Sequence, residues 1–223
     1  MKVKQIFNIL ILLILFVTSV GTVVVSKNIT KQQKTIYIDP GHGGPDGGAV
    51  GLDRVYEKDI VLSVSKKLAF YLGQAGYNVQ LTRNGDYDLA GEDSVNRKRD
   101  DIYKRVDMIN ASDCLLYVSI HANIFSSPRV YGAQVFYKTG SQAGEILASE
   151  IQEAIKSLLQ NTERVAKSIT DKYLIDNVQK TGCLVEIGFL SNPEEVRLLQ
   201  EEFYQEKMAY AIYLGIASYL VNN

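Results

Sequence analysis

Four residues of the 223-residue chain have types and placements suited to hydrolysis: His42, Glu57, His121 and Glu186. The two histidines are the only ones present, and each follows a strand-like run, in IYIDPGHGG and LYVSIHAN. In open α/β sheets the ligand crevice lies beyond the carboxyl ends of the strands, so residues placed there converge in space although far apart in sequence. Two imidazoles and one carboxylate suit zinc, leaving a fourth position for a water whose pKa falls to about 7. Glu57 is a candidate third ligand, because it opens the helix following a Gly-rich loop; the ordinary alternative is a first-turn glutamate complementing the helix dipole. Asp39, Asp46 and Asp59 compete for the place, and Asp39 could instead orient His42. Glu186 interrupts the apolar run CLVEIGF, where an unpaired carboxylate is rare. Beside a metal, such a group takes a proton from water and delivers it to a leaving amine; the alternative is a buried ion pair with Arg83 or Arg105. The loop GHGGPDGGAVG lacks the G-K-[ST] ending of a phosphate loop, and Pro45 interrupts it. Its glycines read instead as backbone that passes close to metal and substrate.

Several elements must hold these residues. TIYIDPG is a short β-branched and aromatic run stopped by Pro40 and Gly41. From Glu57 to Gln74, Ile60, Val61, Val64, Leu68, Tyr71 and Leu72 recur at helical spacing, and YNVQLTR then reads as a second strand. That order is a βαβ unit with neighbouring parallel strands. Val95 to Ala111 predicts a charged helix, CLLYVSIHAN a central strand covered on both faces, YGAQVFYK a strand and Ala143 to Leu159 a helix. YLIDNV reads as a short strand and GCLVEIGF as the last buried one. Asn192 has the pattern of an N-cap with Pro193 at the first helical position, opening a bent or divided closing helix. The fold class is α/β: a single three-layer domain with a mostly parallel central sheet of about six strands and helices on both faces.

Composition agrees with one globular domain. The hydrophobic share is 46%, the charged share 22% and the formal net charge -1, a balance that suggests neither disorder nor a nucleic-acid binder. Residues 1–25 carry Lys2 and Lys4 ahead of an apolar run, which reads as an export signal or a membrane anchor. Residues 26–34 form a polar linker and 35–223 the catalytic domain. Cys114 and Cys183 each lie in an apolar run, as buried thiols rather than a disulfide framework.

Taken together, DPGHGGPDGGAVG, EKDI, SIHAN and LVEIGFLSNPEE resemble the zinc-dependent N-acetylmuramoyl-L-alanine amidases of bacterial cell-wall metabolism. The resemblance covers the chain after the linker. It implies that His42, Glu57 and His121 match the zinc ligands and Glu186 the catalytic glutamate. It further implies hydrolysis of the amide joining the lactyl group of N-acetylmuramic acid to L-alanine in peptidoglycan. Within the family, GPDGGAVG, YLIDNV and GFLSNPEE look most like members serving the spore cortex, where stem-peptide removal lets a muramic acid deacetylase form muramic-δ-lactam, the mark read at germination. That likeness implies work outside the cytoplasm, in the space between the forespore membranes. Only a short stretch separates His121 from the next strand, which leaves little room for a blocking helix and points to control from outside, for instance by an accessory envelope protein acting on the zinc site. The rival readings are a zinc peptidase on the same scaffold and a catalytically silent wall-binding protein.

Overall fold

The structure is a computed structural model and describes residues 34–223. The expected signal or anchor over residues 1–25 therefore lies outside the described residues. No helix among the described residues is long and apolar enough to cross a membrane.

Six strands form one sheet: β1 Thr35–Pro40, β2 Asn78–Leu81, β3 Leu116–Asn123, β4 Gln134–Lys138, β5 Lys167–Ile169 and β6 Gly182–Phe189. Their spatial order is β2-β1-β3-β6-β4-β5. Every pairing is parallel except that of β4 with β6. The last strand in sequence, β6, thus sits between β3 and β4 in the middle of the sheet. Six helices complete the domain: α1 Glu57–Gln74, α2 Arg97–Ala111, α3 Gln142–Leu159, α4 Tyr173–Asn177, α5 Pro193–Gln200 and α6 Glu202–Asn222.

Strand side chains alternate between the faces, and this alternation sorts the core into two layers. Ile36, Ile38, Val118, Ile120, Val185 and Ile187 face the larger layer, where Val64 and Leu68 of α1, Ile151 of α3 and Ile212 of α6 pack against them. Full burial of each such aliphatic side chain stabilises the fold by about 1.5–3 kcal/mol. Tyr37, Tyr117 and Leu184 face the other way, against Val106 and Ile109 of α2 and Leu174 and Ile175 of α4. Further along that second face, in the same parity, come Asp39, Ser119, His121 and Glu186. The central strands therefore present an apolar face to the larger layer, and the other face turns polar towards the strand ends.

The expected three-layer architecture is present, with two corrections. YLIDNV is not a strand: Tyr173–Asn177 is the short helix α4, because turning Leu174 and Ile175 together into the second core satisfies its apolar residues better than pairing would. The strand at that edge is Lys167–Ile169 instead, whose pairing with β4 is set by register. The closing helix is divided, as its sequence suggests. Asn192 caps α5 by accepting from the amides of Glu194 and Glu195 at 3.0 and 3.1 Å, and extended backbone at Glu201 separates α5 from α6.

Candidate active site

Parallel pairing places His121 of β3 directly beside Glu186 of β6. The amide of Gly41 donates to the Ile120 carbonyl at 3.0 Å, holding the chain against β3 for one residue past the end of β1. His42 then turns the chain with a φ of 61°, a left-handed conformation uncommon outside glycine. The turn brings the His42 ring to 5.1 Å from the His121 ring, edge to face.

Glu57 stands between them. Its Oε2 lies 3.1 Å from His42 Nε2, and its Oε1 lies 2.9 Å from His121 Nδ1. Each oxygen is also held by a backbone amide: Ala49 donates to Oε2 at 2.8 Å and Ala122 to Oε1 at 3.0 Å. The loop must pass very close to make this contact. A Cβ on Gly48, where φ is 69°, would lie 2.5 Å from Glu57 Oε2 and 2.7 Å from the His42 ring. The remaining nitrogen of His42, Nδ1, donates to Asp46 Oδ2 at 2.8 Å.

The electrostatics follow from this crowding. Burial disfavours a charged His42, but the hydrogen bonds and charges of Asp46 and Glu57 outweigh it and raise the imidazole to about 9. Burial likewise opposes the Glu57 anion, and the two imidazoles overcome it, holding the carboxyl well below the usual range. Asp46, bonded to His42, is held down at about 2. Ligand atoms of His42, Glu57 and His121 all lie within 4.8 Å of one another, and two nitrogens with one carboxylate oxygen fit a zinc ion with a position left open. Asp39 and Asp59 are not part of the group, and Asp46 supports His42 rather than joining it.

Asp39 does act on His42, though through an intermediary. Arg105 donates from Nη1 to Asp39 Oδ1 at 2.8 Å and to the Pro40 carbonyl at 2.6 Å, and from Nη2 to the His42 carbonyl at 2.6 Å. Its Nε is paired with Asp101 at 2.8 Å. Arg83, fully buried, donates to the carbonyls of Pro40, Gly41, Lys58 and Gly85 at 2.7–3.1 Å. The two guanidiniums fasten the backbone that carries His42, and both are spent in doing so. Neither is the partner of Glu186 that an ion-pair reading would need.

Glu186 has no ion-pair partner among the described residues. Its Oε2 is buried and makes no hydrogen bond among the described residues. Burial, reinforced by the nearby Glu57 charge and partly offset by His121, raises its carboxyl to about 7. It opens onto a cleft of roughly 500 Å³ that also exposes His42, Glu57, His121, Lys98 and Lys172. A carboxyl poised near neutrality beside a metal-ligand cluster is the arrangement expected of a general acid and base.

Sequence reasoning located the four central residues. It missed the anchoring amides, the division of labour between Asp39 and Asp46, and the cleft lysines, none of which leaves a mark in spacing. Residues 124–133 join β3 to β4 without a helix, and Ile124 at the start of that connection lines the cleft.

Comparison with known proteins gives a consistent picture. Residues 36–218 match the Amidase_3 family, N-acetylmuramoyl-L-alanine amidase. The germination-specific N-acetylmuramoyl-L-alanine amidase of Bacillus subtilis (strain 168) is 47% identical over 189 residues, covering 83% of this chain and 79% of the relative. The CwlD amidase from Clostridioides difficile, solved in complex with the GerS lipoprotein, superposes with a TM-score of 0.83 at 38% identity, covering 86% of this chain and 100% of that one. The catalytic domain of CwlV, an N-acetylmuramoyl-L-alanine amidase from Bacillus (Paenibacillus) polymyxa var. colistinus, gives a TM-score of 0.75 at 30% identity, covering 86% and 100%.

Proposed function

The chain belongs to the N-acetylmuramoyl-L-alanine amidase family, and we propose that it removes stem peptides from spore cortex peptidoglycan with zinc held by His42, Glu57 and His121 and with Glu186 moving the proton. The observation that carries the reading is the convergence of two imidazoles on one anchored carboxylate, next to a glutamate oxygen with no partner.

Zinc bound there supplies Lewis-acid polarisation of the scissile carbonyl and a more acidic water. The protein's own groups do the rest. Asp46 holds the proton of His42 on Nδ1, leaving the Nε2 lone pair for the metal. The amides of Ala49 and Ala122 each donate to one oxygen of Glu57 and hold its carboxylate against the two imidazoles. Glu186 accepts a proton from the attacking water as the new carbon–oxygen bond forms. It returns that proton to the departing L-alanine nitrogen as the carbon–nitrogen bond breaks, giving a lactyl carboxylate and a free amine.

The germination-specific B. subtilis relative supports the cortex assignment, in which a muramic acid deacetylase acts next and leaves muramic-δ-lactam. A cell-wall substrate supports action outside the cytoplasm, in the space between the forespore membranes. The lipoprotein-bound relative supports an envelope lipoprotein as a partner. Digestion of purified cortex with zinc-loaded and chelator-treated protein tests the reading. Metal-dependent release of intact stem peptides with L-alanine amino termini is expected. Cleavage within the stem peptide would point to a peptidase instead.

A further inference from the structure

The cleft wall opposite the sheet edge is built from α2 and α4, and it brings two cations to the site. Lys98 of α2 and Lys172, at the start of α4, both line the cleft. Their circumstances differ. Lys98 lies 4.0 Å from Asp46 Oδ2, on the His42 side of the cluster. Lys172 makes no ion pair among the described residues, and its charge is felt by Glu186 across the cleft. Its root is nonetheless fixed. Tyr173 stacks on Tyr103 of α2 with ring centroids 4.5 Å apart and planes 26° apart, and the next two residues, Leu174 and Ile175, are buried in the second core. An exposed, unpaired ammonium on a rigid support, facing a catalytic cleft, is unusual as mere surface charge. Long cationic side chains on a free surface lose little by remaining mobile, and this one is delivered to the site by three consecutive anchoring residues.

The substrate offers a matching charge. Stem peptides carry free carboxylates, and the residue following L-alanine, a glutamate linked through its side chain, keeps its α-carboxylate one residue from the scissile amide. Glu186 must reach the leaving nitrogen, so the side of the cleft where Lys172 faces Glu186 is the side on which the peptide departs. We propose that Lys172 is a specificity residue, pairing with the α-carboxylate of the second stem-peptide residue on the leaving-group side of the bond. This rests on the amidase reading above and adds which part of the substrate is read.

The test compares two synthetic glycan oligomers, one carrying L-Ala-D-Glu stems and the other the same stems with the α-carboxylate amidated. Wild-type protein should favour the free carboxylate by roughly tenfold in kcat/KM, about 1.4 kcal/mol, mainly through KM. Lys172→Met should bring that ratio close to one, while Lys172→Arg keeps most of it. A ratio unchanged in Lys172→Met overturns the proposal. So does a wild-type enzyme indifferent to amidation, and so does a variant whose pH profile shifts while its ratio stays, since Lys172 would then serve Glu186 alone. Failure of wild-type protein to cleave either oligomer overturns the amidase reading together with this one.

Discussion

Replacing Glu186 with glutamine separates its chemical role from its structural cost. The side chain keeps its shape and loses its charge. As a base and acid for proton transfer, Glu186 is expected to contribute about 10²–10⁴ in rate, which is about 3–5 kcal/mol of barrier. Stability should move the opposite way. Burial raises the folded-state pKa of Glu186 from 4.5 to about 7, so the native protein holds this proton more tightly than the unfolded chain. The carboxyl therefore costs nothing extra below pH 4.5, and its cost grows as pH rises from 4.5 through 7. Above that window the ionised group with its unpartnered oxygen destabilises the fold by about 3 kcal/mol. Glu186→Gln lacks that liability at every pH. Denaturant titrations of metal-stripped wild type and variant at pH 5 and pH 8 read the effect. The variant should be nearly equal in stability at pH 5 and clearly more stable at pH 8, while the zinc-loaded variant is almost inactive and still binds metal. A stability gap that does not change with pH, or a variant with wild-type turnover, would refute the reasoning.

Asp46→Asn removes the negative charge and leaves one accepting oxygen for the His42 ring and the Gly48 amide together, and zinc affinity measured by chelator competition should fall about 10–100-fold. The same change should flatten the stability of metal-stripped protein between pH 6.5 and 9, because the raised pKa of His42 contributes stability below 6.5 that is lost as pH climbs through 9. Gly48→Ala pushes a methyl group into Glu57 and His42 and strains a left-handed backbone; zinc titration should show at least about tenfold weaker binding, with about 1–3 kcal/mol lost in denaturant unfolding. Arg105→Met leaves Asp39 and Asp101 buried beside a missing charge, so about 3–5 kcal/mol of folding stability should disappear. Retention of the wild-type denaturation midpoint would show that the buried guanidinium does not hold this loop.

How far the sequence discloses the molecule depends on what carries each feature. Strands β1, β3 and β6 are readable because they are buried on both faces and so are written as largely apolar runs, broken by polar residues only near His42, His121 and Glu186. Helix α1 is readable for the same reason, through the period of Ile60, Val64, Leu68 and Leu72. The edge strand Lys167–Ile169 is not, since its residues are largely exposed and polar and backbone pairing alone defines it. YLIDNV misleads because six residues with three apolar ones fit a strand or a single helical turn equally well. At the site, residue types and strand ends point to His42 and His121, while the choice of Glu57 over Asp39, Asp46 and Asp59 comes from the family resemblance. Residue types say nothing about Arg83 and Arg105, whose partners are mostly carbonyl oxygens, and a carbonyl is the one group every position offers.

The place of β6 in the sheet bears on how this molecule comes into being. Chain that has emerged only as far as residue 181 can assemble β2, β1 and β3 as one half-sheet and β4 with β5 as another, each with a bare edge facing the other. The strand that joins them is the last to be made, and it carries Glu186. Until then two open strand edges remain exposed to mispairing, and the long-range contacts that close them make the final step a slow one. The same order is a safeguard: no product that stops short of residue 186 holds both the His42, Glu57 and His121 group and Glu186, so the full set of four comes together only with the last strand of the sheet.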